Sequence, residues 1–355
     1  MKQKEMPKEV LKALQRGVVI PALPLALDQD RKLDERRQRA LMRYYLDAGV
    51  GGVAVAIHTT QFEIRNPEIN LYEPVLSIAR EEFDHYVERT GKPLIRIAGI
   101  IGKTEQATKE ARLAVSNAYH AVLLSLAAFP EASNQTILEH CRAVADIIPV
   151  VGFYLQPTVG GRVLDINFWR EFAKIENVIA IKIAPFNRYW TMDVVRGVIE
   201  SGRTDEIALY TGNGDNILVD LLTDFSFTVG SEVIKKRIVG GLLGHWAVWT
   251  RSAVRLLDEI QKGNLNGDTP RSLNLGMQIT DCNGAFFDAA NSYEGCIVGL
   301  HEVLRRQGLI QGLWTLNEDE VLSPGQKEEI DRVYKAYPDL NDDGFVAENL
   351  QNWMR

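Results

Sequence analysis

The chain has 355 residues, and its 46% apolar and 25% charged side chains are ordinary for a globular protein with a large core. The formal net charge of −7 argues against nucleic acid or an anionic membrane as a partner, because neither would attract an acidic surface. No apolar run approaches the ~18 residues of a membrane span, and the charged residues 1–15 lack the apolar core of a signal peptide.

Short apolar or β-branched runs alternate with helical patterns over most of the chain. The runs predicted as strands are 17–23, 52–57, 94–99, 121–126, 149–154, 176–185, 207–211 and a weaker 225–230. Strands and helices that alternate through roughly 250 residues predict an α/β protein of the (β/α)8 or TIM barrel type. An open doubly wound sheet is the alternative, but the Rossmann glycine signature after the first strand is missing.

Beyond about residue 250 the pattern becomes helical. The predicted helices are 251–262, 284–307 and 324–336, and the turn-rich segment 263–270 is predicted as a linker. We therefore predict a barrel over residues 1–250 and a C-terminal helical region over 251–355. The three cysteines have no C-x-x-C spacing, and their odd number fits a reducing compartment, and so a cytoplasmic protein, better than a disulfide framework. No metal-ligand spacing stands out, and we expect no metal and no cofactor.

The sixth predicted strand contains one lysine. Strand periodicity places Lys182 on one face with the small side chains, and it places Ile179, Ile181 and Ile183 on the other face. An ammonium in an apolar place is costly unless it is paired or loses its proton. A lysine that loses its proton is an amine nucleophile, so Lys182 is a candidate Schiff-base lysine. The alternative is a strand-end lysine that reaches water.

Two other strand ends carry groups that suit the same chemistry. Tyr154 ends the fifth strand, on the face of Gly152, which we expect to leave room inward, and its phenol can shuttle protons. Thr59 and Thr60 follow the second strand, and hydroxyls with loop amides can hold a carboxylate. Each signal alone is weak, because a tyrosine at a strand end is usually a packed aromatic and a Thr-Thr pair is usually a cap or turn.

With these residues the chain resembles the dihydrodipicolinate synthase / N-acetylneuraminate lyase family of class I aldolases, from about residue 17 to residue 230 and more loosely through 284–310. The family carries Tyr-x-x-Pro after the fifth strand, a Schiff-base lysine in the sixth and Gly-Thr/Ser-Thr-Gly-Glu after the second. The matching segments here are 154–157, 177–182 and 58–62, with further matches at Ala98-Gly99 and at the turn 212–215.

The resemblance implies a role for each matching residue. Lys182 would form the imine, and Tyr154 would be the acid and base. Thr59 would join Tyr154 in a proton relay, and Thr60 would bind the carboxylate of the keto acid. Gly212 is a candidate substrate-binding residue; its turn is also a candidate phosphate site or simply a tight turn. The resemblance also implies a homo-oligomer, a dimer or a homotetramer.

The chain departs from the family pattern in the segment after the second strand. His58 and Gln61 replace both glycines of the family motif. Because glycine lets the backbone approach a ligand closely, we expect the floor of the pocket to differ from that of the family. Phe62 occupies the glutamate position, with Glu63 one residue away. His58 is a candidate substrate contact or extra acid or base, and the alternative is a structural histidine bonded to loop backbone.

Two synthase residues are also replaced. Phe129 stands where the synthases lend a tyrosine across a subunit interface, and Val159 stands at the position of a carboxylate-binding arginine, with Arg162 nearby. We therefore expect a lyase, aldolase or dehydratase that acts on a pyruvate-like 2-keto acid, with an aldehyde as partner substrate, and does not make dihydrodipicolinate. The alternatives are a non-catalytic relative that binds a small carboxylate and a phosphate-handling barrel enzyme.

Overall fold

A computed structural model describes residues 1–265 and 267–355; Asn266, in the segment predicted as a linker, lies outside the described residues. The strands are β1 (Val19–Pro21), β2 (Gly52–Val55), β3 (Ile95–Ile100), β4 (Ala121–Leu124), β5 (Val150–Leu155), β6 (Val178–Ala184), β7 (Ala208–Thr211), β8 (Asp224–Val229) and β9 (Glu232–Leu243). The α-helices are α1 (Lys8–Arg16), α2 (Glu35–Ala48), α3 (Tyr72–Thr90), α4 (Thr104–Ser116), α5 (Asn134–Ala145), α6 (Ile166–Ala173), α7 (Arg188–Glu200), α8 (Ile217–Leu222), α9 (Thr250–Gln261), α10 (Thr269–Phe286), α11 (Cys296–Arg306), α12 (Gln326–Ala336) and α13 (Asp343–Trp353).

These elements form two compact units. The first unit comprises Met1–Val18 and Ile95–Leu242, and the second comprises Val19–Leu94 and Leu243–Arg355. In the first unit β3, β4, β5, β6, β7 and β9 are neighbours in that order, and each of these pairings is parallel. Helices connect successive strands, which is the βαβ arrangement that the alternating sequence pattern predicts.

The last parallel strand of the first unit differs from the prediction. The run predicted as the eighth strand forms β8, which pairs antiparallel with the first half of β9. The parallel neighbour of β7 is the second half of β9, which pairs through Ile238, Gly240 and Gly241. The sequence does not predict this strand, because Gly240 and Gly241 weaken its strand pattern. Gly240 is needed there, since a Cβ would lie 2.5 Å from the Val18 carbonyl oxygen.

β6 is buried along its whole length. Gly152 of the neighbouring strand β5 lies between Ile181 of β6 and a helix. A Cβ at Gly152 would lie 3.4 Å from Cγ1 of Ile181 and 2.6 Å from Cε1 of Phe172 on α6. The isoleucine face of β6 therefore packs towards the helices. Lys182 lies on the opposite face.

In the second unit an isolated parallel bridge joins Ala22, the residue after β1, to Ala54 of β2. The connecting helix α2 begins after Asp34, whose side chain accepts a hydrogen bond from the Arg37 amide, and it ends at Gly49 in the left-handed conformation. No helix in the described ranges is long and apolar enough to cross a bilayer.

The C-terminal part is helical, but its helices differ from the predicted ones. The predicted helix 284–307 is divided between α10 and α11, and Asp288, Ser292 and Tyr293 in the connection have positive φ, which ends a right-handed helix. Most of α10 was not predicted; Asp268 caps its first turn, inside the segment that suggested a linker. The division of the chain at residue 250 stays a prediction.

Candidate active site

Lys182 is a buried amine, with 9% of its surface exposed. Its Nζ lies 4.3 Å from the ring centroid of Phe153, the residue of β5 that pairs with it. Among the described residues Lys182 has neither an ion pair nor a hydrogen bond. Burial lowers the pKa of Lys182 from 10.5 to about 7. At neutral pH a large fraction of the protein molecules therefore carries Lys182 as the neutral amine, which is the form that attacks a carbonyl group.

Gly212 gives the lysine side chain its room. The Gly212 amide follows β7 and donates a hydrogen bond of 2.7 Å to the carbonyl oxygen of Ile183. A Cβ at Gly212 would lie 2.9 Å from Cε of Lys182 and 2.7 Å from Cβ of Ala184. The structure thus brings Gly212 and Lys182 together. Binding of substrate by Gly212 stays a prediction.

A buried polar network fixes the turn that carries Gly212. The Asp220 carboxylate accepts hydrogen bonds from Oγ1 of Thr211 at 2.7 Å and Nδ2 of Asn213 at 2.9 Å. It also forms an ion pair of 2.5 Å with Arg188. The Asn213 side chain accepts a hydrogen bond of 3.0 Å from the Phe186 amide, so the network joins the segments that follow β6 and β7.

Sequence reasoning missed Asp220, although the sequence contains a signal for it. Asp220 lies in α8, a helix with the sequence ILVDLL, and it is fully buried. A single acid surrounded by apolar residues in a short helix is expected to be paired, because a buried charge without a partner is costly.

Tyr154 lies on the opposite face of β5 from Phe153, because consecutive strand residues alternate. Its ring packs against Trp169 of α6 and Trp190 of α7, with centroid distances of 5.1 and 6.1 Å. Its hydroxyl donates to the Leu164 carbonyl at 3.2 Å and accepts from the Leu164 amide at 3.1 Å. Burial raises the pKa of the Tyr154 phenol to about 12.

The expectation that the Gly152 face of β5 leaves room inward is wrong. That face carries Tyr154 and is filled from the helix layer by Phe172 and Trp169. The sequence correctly placed Gly152 and Tyr154 on one face, but periodicity does not tell which face of a buried strand meets the helices. The catalytic role of Tyr154 stays a prediction.

The predicted Thr59, Thr60 and His58 lie together in the second unit, in a single 3-10 turn, His58–Thr60. Oγ1 of Thr60 donates to the Leu23 carbonyl at 2.6 Å and accepts from the Ile57 amide at 3.3 Å. Oγ1 of Thr59 donates to the Leu23 carbonyl at 3.3 Å. Both hydroxyls are thus bonded to backbone groups of their own unit, and their roles towards substrate stay predictions.

The residues that replace the family glycines are packed within the second unit. The half-buried His58 ring meets the Phe62 ring edge-on, with centroids 5.8 Å apart. Gln61 is buried, and its side-chain oxygen accepts a hydrogen bond of 2.5 Å from the Leu316 amide. Its φ of 67° is a left-handed backbone conformation that favours glycine, and here a glutamine adopts it.

Arg162 holds a loop of the first unit in place. Its guanidinium donates hydrogen bonds to the carbonyl oxygens of Phe129 and Ala132. The Phe129 ring packs on His140 with the centroids 4.6 Å apart, and burial lowers the pKa of His140 to about 4. Arg162 is therefore engaged by the segment after β4.

Solved structures show the fold class, a (β/α)8 barrel with C-terminal helices, as the sequence predicted. A dihydrodipicolinate synthase from Oceanobacillus iheyensis is 16% identical, with a TM-score of 0.72 over 93% of this chain and 99% of that chain. An N-acetylneuraminate lyase from Fusobacterium nucleatum is 14% identical, with a TM-score of 0.70 over 91% of this chain and 99% of that chain. A prophage protein of the dihydrodipicolinic acid synthase family from E. coli K12, in complex with pyruvate, is 16% identical, with a TM-score of 0.69 over 91% and 97%.

The family is identified from the sequence. The dihydrodipicolinate synthetase family model matches residues 15–231, and the chain belongs to that family. A search of curated proteins found no match. Family membership, together with the lyase among the similar structures, supports a lyase of the aldolase type.

Proposed function

We propose that the chain is a Schiff-base lyase, an aldolase or dehydratase, that acts on a pyruvate-like 2-keto acid through an imine on Lys182. The observation that carries the proposal is the buried Lys182 amine, which has no ion pair among the described residues and a pKa lowered to about 7. Pyruvate bound by the similar E. coli protein supports the keto-acid class. An aldehyde partner, a homo-oligomer and the absence of a cofactor belong to the same proposal.

The chemistry needs a neutral amine at the start. The lone pair of Lys182 Nζ forms a bond to the C2 carbonyl carbon while the carbonyl oxygen takes a proton. The nitrogen then gives up one of its two protons, and the C–O bond breaks as the oxygen takes a second proton and leaves as water. The product is a protonated imine, which draws electrons from C3. Loss of a proton from C3 gives an enamine, whose electron pair can attack an aldehyde carbon, and the reverse sequence cleaves that bond.

The other predicted residues keep their proposed roles. Tyr154 and Thr59 would move protons, and Thr60 and His58 would contact the substrate. Each of the three hydroxyls is bonded to backbone in the structure, so each would exchange or share that partner when substrate binds. Tyr154 would also have to move from the helix face of β5 to the face that carries Phe153 and Lys182. Tyr154→Phe should therefore separate a proton-transfer role, seen as lost turnover, from a packing role.

Borohydride trapping tests the proposal. The protein is incubated with pyruvate, reduced with borohydride and measured by intact mass, beside Lys182→Ala and Lys236→Ala. We expect one reduced adduct per chain in the wild type and in Lys236→Ala, and none in Lys182→Ala. Lys236 is the matched control because burial also lowers its pKa, to about 8, but it donates a hydrogen bond of 2.6 Å to the Ile207 carbonyl. No wild-type adduct with pyruvate or longer keto acids would refute the proposal.

The trapping rate should depend on pH through Lys182. The amine attacks only when it is neutral, so we expect the initial rate of adduct formation to rise with pH and to level off above the pKa of about 7. The rate is measured from about pH 5 to about pH 10 at fixed pyruvate. A rate that continues to rise towards 10.5, the ordinary lysine pKa, would show a solvated lysine instead.

Gly212→Ala should slow trapping. The new Cβ would lie 2.9 Å from Lys182 Cε and 2.7 Å from Ala184 Cβ, so the lysine must move from its place beside Phe153 and the end of β6 must shift as well. We expect adduct formation to slow by about tenfold or more, because small displacements of a reacting group are costly. Gly344→Ala is the control, since nothing lies within 4 Å of a Cβ there. Equal trapping rates in both variants would contradict the assigned role of Gly212.

The non-catalytic relative remains a second candidate function. The Tyr154 hydroxyl is held by the Leu164 backbone, and Phe129 replaces the tyrosine that the resemblance expects. A panel of 2-keto acids with aldehydes separates the two functions. Turnover of any pair supports the lyase, whereas a trapped adduct without turnover supports a binding protein.

A further inference from the structure

The Phe153 ring lies beside the Lys182 nitrogen, with its centroid 4.3 Å from Nζ. We propose that Phe153 is a catalytic residue, whose ring face stabilises the positive charge of the protonated imine on Lys182 Nζ. The proposal rests on the proposed function and names a residue of that same site. The sequence predicts no role for Phe153, because its neighbour Tyr154 is the residue that matches the family motif.

The geometry is that of a cation–π contact. Lys182 and Phe153 are direct partners in the parallel pairing of β5 and β6, so their side chains leave the sheet on one face. Nζ lies 4.3 Å from the ring centroid, within the roughly 6 Å over which a ring attracts a cation. Phe153 is 8% exposed, so little water competes with the ring. Both residues lie within strands of one unit, which fixes the pair.

A ring suits this nitrogen better than a carboxylate would. A carboxylate beside Lys182 would stabilise the ammonium strongly and would keep the amine protonated and unreactive. The ring attracts a cation more weakly, so burial still dominates and the amine loses its proton near neutral pH. When the imine forms and is protonated, the nitrogen becomes a cation, and the same ring then stabilises it. The arrangement therefore favours the neutral nucleophile before the reaction and the charged intermediate after it.

Fluorination of the ring isolates this effect. Phe153 is replaced by mono-, di- and trifluorophenylalanine, which keep the size and apolar character of the ring and progressively remove its negative face. Borohydride trapping with pyruvate is measured at about pH 9, where Lys182 is neutral in all variants. We expect the trapping rate to fall stepwise with each fluorine, by about tenfold in total for the trifluoro ring. The same substitutions at Phe172 of α6, which packs against the opposite face of the sheet, are the control and should leave the rate unchanged.

A second readout separates catalysis from packing. The cation that the ring stabilises before reaction is the Lys182 ammonium, so fluorination should also lower the pKa seen in the pH profile of trapping. A merely structural ring would move neither the pKa nor the rate. A trifluoro variant that traps pyruvate within twofold of the wild type would overturn the inference and leave the proposed function intact. A wild type that traps no keto acid would overturn both.

Discussion

Lys182→Met should increase the free energy of unfolding at neutral pH, by an amount on the order of a few kcal/mol. The wild-type chain buries an amine that has no ion pair or hydrogen bond among the described residues, and its protonated form is disfavoured in the fold. Methionine fills a similar volume with an unbranched apolar chain and carries no such penalty. A catalytic lysine of this kind lowers stability, so its removal should raise stability while it abolishes the imine.

The sign and the pH window follow from the two pKa values of Lys182, about 7 in the fold and 10.5 as the ordinary value. Below about pH 7 both states bind the proton, and the burial penalty is complete. Between these values the unfolded chain binds more protons than the folded chain, so wild-type stability rises with pH. The advantage of Lys182→Met should therefore be largest at or below pH 7 and should vanish above 10.5.

Urea unfolding at about pH 6, 8 and 10 measures this difference. Lys236→Met is the control. Burial lowers the pKa of Lys236 less, to about 8, and its ammonium donates to two backbone carbonyls, so its removal should stabilise the fold less than Lys182→Met does. A Lys182→Met chain that is less stable than the wild type at about pH 6, or a difference that does not change with pH, would contradict the account of Lys182.

Asp220→Ala should lower the free energy of unfolding by about 3 kcal/mol or more, because removal of one partner leaves the rest of a buried polar network unpaired. Thr211, Asn213 and Arg188 would each lose a bond to the carboxylate. Because this network fixes the turn that carries Gly212, trapping at Lys182 should slow as well.

Asp224→Ala is the matched control for Asp220→Ala. Asp224 also pairs with an arginine, Arg237 at 3.4 Å, but its side chain is 57% exposed. Exposed ion pairs contribute about 1 kcal/mol or less, so its loss should cost little. Thermal or urea unfolding of both variants measures the difference. Similar losses of stability would mean that burial of the Asp220 network has no special importance.

The sequence predicted the fold class and the position of Lys182 because both depend on short-range patterns. The run 176–185 is apolar, β-branched and bounded by Asn177 and Pro185, and it forms β6 with its lysine on the predicted face. The same periodicity identified β2 to β5 within a residue or two. A buried parallel strand leaves such a signal wherever it occurs in the chain.

The features that were missed depend on contacts between distant segments. The second half of β9 is recognisable only by its pairing with β7, because Gly240 and Gly241 weaken its local strand pattern. The face of Tyr154 was decided by α6, since Trp169 packs against its ring. Asp220 depends in the same way on Arg188 from another helix. None of these partners lies within the few residues that a periodicity compares.

The most direct test of the central claim is to identify the residue that carries the trapped keto acid. The wild-type protein is reduced with borohydride in the presence of pyruvate at about pH 8 and digested, and the modified peptide is sequenced by mass spectrometry. The buried amine of β6, which has no ion pair among the described residues, predicts one modified residue, Lys182. An adduct on Lys236 or on any other lysine, or no adduct, would contradict the claim that Lys182 is the nucleophile of this site.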